Sequence, residues 1–143
     1  MADRDLFLQL QKYCDIGVKA CPEKELQQFV ARHREGIDGN ETEAALQMLA
    51  LLLLTAADQH IRKIMLNGSY ICLIGRGKGI CTTLHPGLLA RAREVINTIS
   101  GMEDGRSSGT IRLAAKGCEL PILVHPTAQD GASVDLDLLS FAD

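Results

Sequence analysis

Five cysteines, at positions 14, 21, 72, 81 and 118, and four histidines, at 33, 60, 85 and 125, are the side chains of this chain suited to nucleophilic, redox or metal chemistry. Cys81 or Cys118 would act as a nucleophile only beside a base. His60, His85 and His125 are available, but no local motif fixes such a pair. Cys81-x-x-x-His85 resembles half of a metal site, with Cys72 as a conceivable third ligand. Zinc sites usually bring paired C-x-x-C or H-x-x-x-H spacings, and neither occurs here. Cys21-Pro22 offers a thiolate for haem, although a Cys ahead of a helix-opening Pro is the simpler reading. We therefore expect neither a metal nor another cofactor.

Gly75-Arg76-Gly77-Lys78-Gly79 invites a phosphate-loop reading, since glycines let backbone amides approach a phosphate and the two cations add charge. A true phosphate loop runs into a helix, whereas strand-like Ile80-Cys81-Thr82 follows here. The glycines read instead as a hairpin turn, with Arg76 and Lys78 kept as candidate anion-binding residues. Around a two-residue turn at Arg76-Gly77, Cys72 and Cys81 face each other. We expect them to pack as small hydrophobes, the alternative being a regulatory disulfide.

The elements that position these residues follow from spacing. Leu6, Leu10 and Tyr13, flanked by Phe7 and Cys14, mark one face of a first helix over Asp5–Cys14. Pro22, then Glu23 and Glu25, open a second helix whose face is Leu26, Phe29, Val30 and His33, and Gly36 ends it. Asn40 with Glu43 caps a third, starting near Glu41. We expect that helix to run to about Leu66. The alternative is a pair of strands, Ile61–Leu66 and Ser69–Ile74, joined by Asn67-Gly68. Farther on, Ser69–Ile74 and Gly79–Leu84 read as strands, Pro86–Ser100 as a helix closed by Gly101, and Thr110–Ala115, Glu119–His125 and Ser133–Phe141 as three more strands. Glu103–Gly109 and Pro126–Ala132 read as loops.

The expected fold is α+β: one domain over residues 1–143, with a mainly helical region 1–66 packed on a small antiparallel sheet of ββαβββ order over 67–143. The chain is long enough to bury a real core. Only 3% of it is aromatic, with no Trp, and the net charge is −3. Stacking platforms for single-stranded nucleic acid and a global drive toward polyanions are thus absent, so no direct nucleic-acid binding is expected. From His60 to Arg93 six Lys and Arg occur without an acid, a stretch that reads as a solvated face. Leu51–Leu54 is hemmed in by polar residues and too short to span a bilayer. With no apolar leader after Met1–Arg4, an odd cysteine count reads as reduced thiols in a cytoplasm.

The stretch from Asn67-Gly68 through the hairpin Tyr70–Leu84, the His85-Pro86 helix and the strands Thr110–Leu113, Pro121–Pro126 and Val134–Asp143 resembles the PAS-like sensory segment found ahead of the DNA-binding domain in some LuxR-type bacterial regulators. The likeness covers roughly the last half of the chain. Profilin-like and roadblock-type scaffolds share the same element order. No helix-turn-helix accompanies it here.

The resemblance implies a non-enzymatic cytoplasmic sensory or regulatory module. A small ligand would sit between the sheet and the Pro86 helix, lined by Ile71, Leu73, Leu89 and Val95 with Arg76 and Lys78 nearby. It would shift a homodimer interface made by Ala44–Ala57, a helix apolar almost all round. Two alternatives stand beside this: a dedicated protein-binding partner of chaperone or immunity type, and a small-molecule enzyme using a Cys–His pair.

Overall fold

The computed structural model describes residues 4–16, 21–37, 39–75, 77–101, 108–115, 118–126 and 133–139. Its elements run α1 (Arg4–Ile16), α2 (Pro22–Arg32), α3 (Glu41–Gln59), β1 (Lys63–Leu66), β2 (Tyr70–Gly75), β3 (Lys78–Thr83), α4 (Pro86–Ser100), β4 (Gly109–Ala115), β5 (Cys118–Pro126) and β6 (Val134–Leu138). The architecture is α+β, with three N-terminal helices, a fourth between the strand groups, and one antiparallel sheet of order β3-β2-β1-β6-β5-β4. The last strand inserts at the centre of the sheet, beside the first, and joins its two halves.

Period-two alternation gives the sheet two different faces. Ile64, Leu66, Ile71, Leu73, Ile111, Leu113, Leu120, Ile122, Val124, Val134, Leu136 and Leu138 are buried in one core with the helices. Lys63, Met65, Cys72, Cys81, His125, Asp135 and Asp137 take the opposite face. Above the core, α4 lies against β1, β4 and β5, while α3 contacts α1, α2 and α4.

Helix ends follow their caps. Asn40 accepts a hydrogen bond from the Glu43 N–H at 3.0 Å, as the sequence spacing requires. His85 caps α4 by accepting from the Gly87 N–H, and Gly101 closes that helix in the left-handed region at φ 80°. Helix α2 stops at Arg32, a turn before Gly36. The His33 ring folds back onto Phe29, stacked at 4.0 Å, and its Nδ1 donates to the Phe29 carbonyl.

The expectation that α3 continues to Leu66 is overturned. It ends at Gln59 because His60 adopts a left-handed backbone, φ 56° and ψ 44°, and the N–H groups of His60 and Ile61 both donate to the Ala56 carbonyl. The chain then enters β1, whose pairing with β2 was the alternative reading. Even so, the turn is not Asn67-Gly68. The Asn67 N–H donates to the Tyr70 carbonyl at 3.0 Å, which leaves Gly68-Ser69 as the two turn residues.

The apolar surround of Ala44–Ala57, the ground for expecting a dimer interface there, is accounted for within the single chain. Ala44, Ala45, Leu46, Met48, Leu49, Ala50, Leu52, Leu53, Leu54 and Ala56 are all buried within the single chain. Helix α3 is apolar all round because it forms the centre of the helical layer, covered by α1, α2 and α4, and its exposed positions are Glu41, Glu43, Gln47 and Asp58.

One edge of the sheet is closed by a side chain. The Gln11 carboxamide donates from Nε2 to the Ala114 carbonyl at 2.8 Å and accepts from the Ala114 N–H at 2.9 Å. It stands where a neighbouring strand's peptide group would stand, which blunts β4 as a template for edge pairing. Gln11→Ala should lower stability by about 1 kcal/mol in urea unfolding and increase self-association in light scattering. An unchanged scattering profile would show that the cap does not guard the edge.

Candidate functional site

The helical layer closes over β1, β5 and β4 but leaves a gap above the β2–β3 hairpin. There a cleft of about 270 Å³ opens between α2, the end of α3 and the hairpin. Its apolar walls are Leu26 and Val30 from α2, Ile61, Leu73 from β2 and Ile80 from β3, with Glu23, Gln27, Arg34 and Gln59 as polar groups. The Gln59 carboxamide donates to the Glu23 carboxylate at 2.6 Å, which ties the start of α2 to the end of α3. Thr55 presents a hydroxyl whose proton is committed to the Leu51 carbonyl at 2.7 Å. The hydroxyl oxygen keeps acceptor capacity. Apolar walls with a few convergent polar groups are the general form of a small-molecule site.

Of the residues singled out from sequence, Leu73 and Cys81 line this cleft. Ile71, Leu89 and Val95 are packed in the core between sheet and helices. Arg76 lies outside the described residues, and Lys78 is described only through its pairing with Gly75. The turn reading of the glycines holds, since β2 and β3 close around Gly77 at φ 65°. The basic stretch is dispersed rather than gathered. Arg91 pairs with Glu41 and Glu94, Lys63 with Asp135 and Asp137, and Arg93 donates to the Asn67 carbonyl at 2.7 Å. Burial lowers the Arg93 pKa.

No protein-family description, curated protein or solved structure matches this chain. The reading of the site therefore rests on its own geometry.

Cys72 and Cys81 are directly opposite in the β2–β3 ladder and joined by a disulfide, with Cα atoms 4.2 Å apart. This corrects the expectation that they pack as free thiols. The Leu84 N–H donates to the Ser69 carbonyl, so that pair is hydrogen-bonded. Alternation then makes Cys72/Cys81 a non-hydrogen-bonded pair, the kind whose side chains lie closest. Cys14 and Cys21 are free thiols, one buried and one exposed.

The disulfide removes Cys81 as a nucleophile in this state, and His85 Nδ1 is occupied in capping α4. Cys118 pairs with Ala115 through the backbone, its side chain lying outside what is described. Among the described residues no three His, Cys, Asp or Glu side chains are grouped to hold a metal ion. On the face away from the helices, His125 Nε2 lies 2.7 Å from Asp137, and Lys63 reaches Asp135 at 3.6 Å and Asp137 at 3.8 Å. These groups pair with one another across β1, β6 and β5, and none lines the cleft.

The cleft was missed in the sequence because it is assembled from distant segments. The walls come from α2, α3, β2 and β3, and no local spacing connects Val30 to Ile80.

Proposed function

We infer that this protein is a non-enzymatic, cytoplasmic regulatory module that takes a small, mostly apolar ligand in the cleft between α2, α3 and the β2–β3 hairpin. The observation that carries the reading is the set of apolar walls around about 270 Å³, ringed by groups able to orient a polar end of the ligand. Arg34 on that rim would favour an anionic or acceptor-bearing end. The β2-β3-α4-β4-β5-β6 order is the one on which the PAS-like resemblance rests, and that likeness supports a sensory role. No helix among the described residues is long and apolar enough to cross a membrane.

Native mass spectrometry of the purified protein beside its denatured form tests retention of a ligand. Titration with the dye 1-anilinonaphthalene-8-sulfonate (ANS), apolar with one anionic end, tests the cleft itself. Ile80 is a good position for a variant because it lines the cleft at the edge strand and is 39% exposed, so the fold tolerates a change there. Ile80→Glu should weaken dye binding by on the order of tenfold or more, since it replaces apolar wall with a carboxylate. Equal binding by wild type and variant, with no mass lost on denaturation, would remove the cleft as the site.

A second reading, a dedicated protein partner, is favoured by one feature. β3 is the other sheet edge, and the register turns the backbone groups of Gly79, Cys81 and Thr83 away from β2. A partner strand could pair there. A stoichiometric protein complex that survives ligand removal would favour it.

A further inference from the structure

The disulfide and the cleft share an element. Ile80, Cys81 and Thr82, consecutive on β3, all line the cleft. β3 is an edge strand, held to the sheet by β2 on one side only. Beyond the turn through Gly77, the bond from Cys81 to Cys72 ties it covalently to β2 a second time. By strand alternation the two cysteine side chains take the sheet face away from the helices, while Cys81 is also part of the cleft lining, so the bond is continuous with the cleft wall. The two residues differ in access: Cys72 is 5% exposed, whereas Cys81, on the edge strand, is exposed.

We propose that Cys72–Cys81 is a thiol–disulfide exchange site through which a low-molecular-weight thiol controls ligand binding in the cleft. The regulatory half rests on the cleft reading above. The chemistry runs in two displacements. A reductant thiolate attacks Cys81 Sγ, the Cys72–Cys81 bond breaks, and its electron pair leaves on Cys72 Sγ, which takes a proton from water. A second reductant thiolate then attacks the reductant sulfur of the mixed disulfide and releases Cys81 as a thiolate. One protein disulfide and two thiols become a protein dithiol and one oxidised reductant. Access selects Cys81 as the sulfur attacked and leaves Cys72 as the leaving group.

The structural consequence follows from the edge position. Without the cross-link, β3 is held to β2 by the hairpin turn and the backbone ladder alone. The wall that carries Ile80 and Thr82 is then free to fray, and the bound ligand loses one side of its site. The reverse exchange, in which the oxidised form of the low-molecular-weight thiol accepts the two electrons and leaves as two thiols, restores the wall. A disulfide beside the free thiols Cys14 and Cys21 fits a protein that lives among reducing thiols, where disulfides that form are usually transient or redox-sensing.

The test uses the full chain equilibrated in glutathione buffers of increasing reduced-to-oxidised ratio. Each sample is acid-quenched and alkylated, and the peptides carrying Cys72 and Cys81 are quantified by mass; a parallel set is titrated with ANS. The expected result is joint conversion of Cys72 and Cys81 to thiols with the circular dichroism unchanged, accompanied by roughly tenfold weaker dye binding, within the usual range of coupling between sites. A Cys72→Ser/Cys81→Ser variant should show the weak value at every ratio and retain the same dichroism. A pair that stays oxidised in every buffer where the protein is folded would make the bond a static staple and overturn the proposal. Reduction without any change in dye affinity would also overturn it, while leaving the cleft reading intact. If the oxidised protein binds no dye at all, the cleft reading falls and takes the control of binding with it. The labelling arm then decides exchange by itself.

Discussion

Gly109→Ala should destabilise the fold by about 3 kcal/mol, whereas Gly79→Ala, in the opposite edge strand, should change it by less than about 0.5 kcal/mol. A Cβ at residue 109 would lie 2.4 Å from the Ser100 carbonyl oxygen, 2.9 Å from its Cβ and 3.1 Å from its carbonyl carbon. Two of these three atoms belong to the backbone of the last residue of α4 and cannot rotate away. Either β4 or the end of α4 must move, and both pack on the core. Gly109 does not have a positive φ, so the requirement is space and not backbone conformation. At Gly79 nothing lies within 4 Å of the added carbon. There the lower entropy of the unfolded alanine chain acts in favour of the variant. Paired urea unfolding curves decide the matter. Similar midpoints for the two variants would mean that β4 has room to slide under α4.

That contrast shows what the sequence could and could not convey. Helix α4 was legible to the residue because Pro86 fixes its first turn, Leu88, Leu89, Ala92, Val95 and Ile96 fix its buried face, and Gly101 supplies the left-handed stop. The end of α3 was illegible because the same stop is made by His60, a residue that seldom takes that conformation. Once α3 was read as too long, β1 disappeared, and the sheet lost the strand that joins its halves. The apolar surround of α3 was legible, but it was read as a dimer interface and not as burial within one chain. What covers it was not legible, because α1, α2 and α4 reach it from distant parts of the chain. The facing of Cys72 and Cys81 was legible from the symmetry of the two positions about Arg76-Gly77. That the pair is bonded was not, since strand spacing fixes proximity and says nothing of oxidation state.

Cys14 should resist alkylation in the native protein about a thousandfold more than its exposed counterpart Cys21. Its thiol pKa is pushed from 9.0 to about 12, first by burial and second by the neighbouring Asp15 charge. Raising a thiol by that much removes about three orders of magnitude of thiolate at neutral pH, and thiolate is the reacting form. Labelling of Cys14 with iodoacetamide at pH 8 thus reports release of α1 from α3 and β4. A rate equal to that of global unfolding would make α1 part of the cooperative core, and a much faster one would show α1 opening by itself. The same shift sets the alkaline behaviour. The folded thiol stays neutral above the pH at which the unfolded one ionises, so its contribution is complete below pH about 9. It is then lost by about 1.4 kcal/mol per unit toward pH 12. Cys14→Ala begins less stable at pH 7, by about 1–2 kcal/mol for the cavity, and lacks this slope. The stability curves of wild type and variant should therefore converge above pH 9. Parallel curves to pH 11 would mean that the Cys14 site admits water or a counter-charge and that α1 is not sealed against the core.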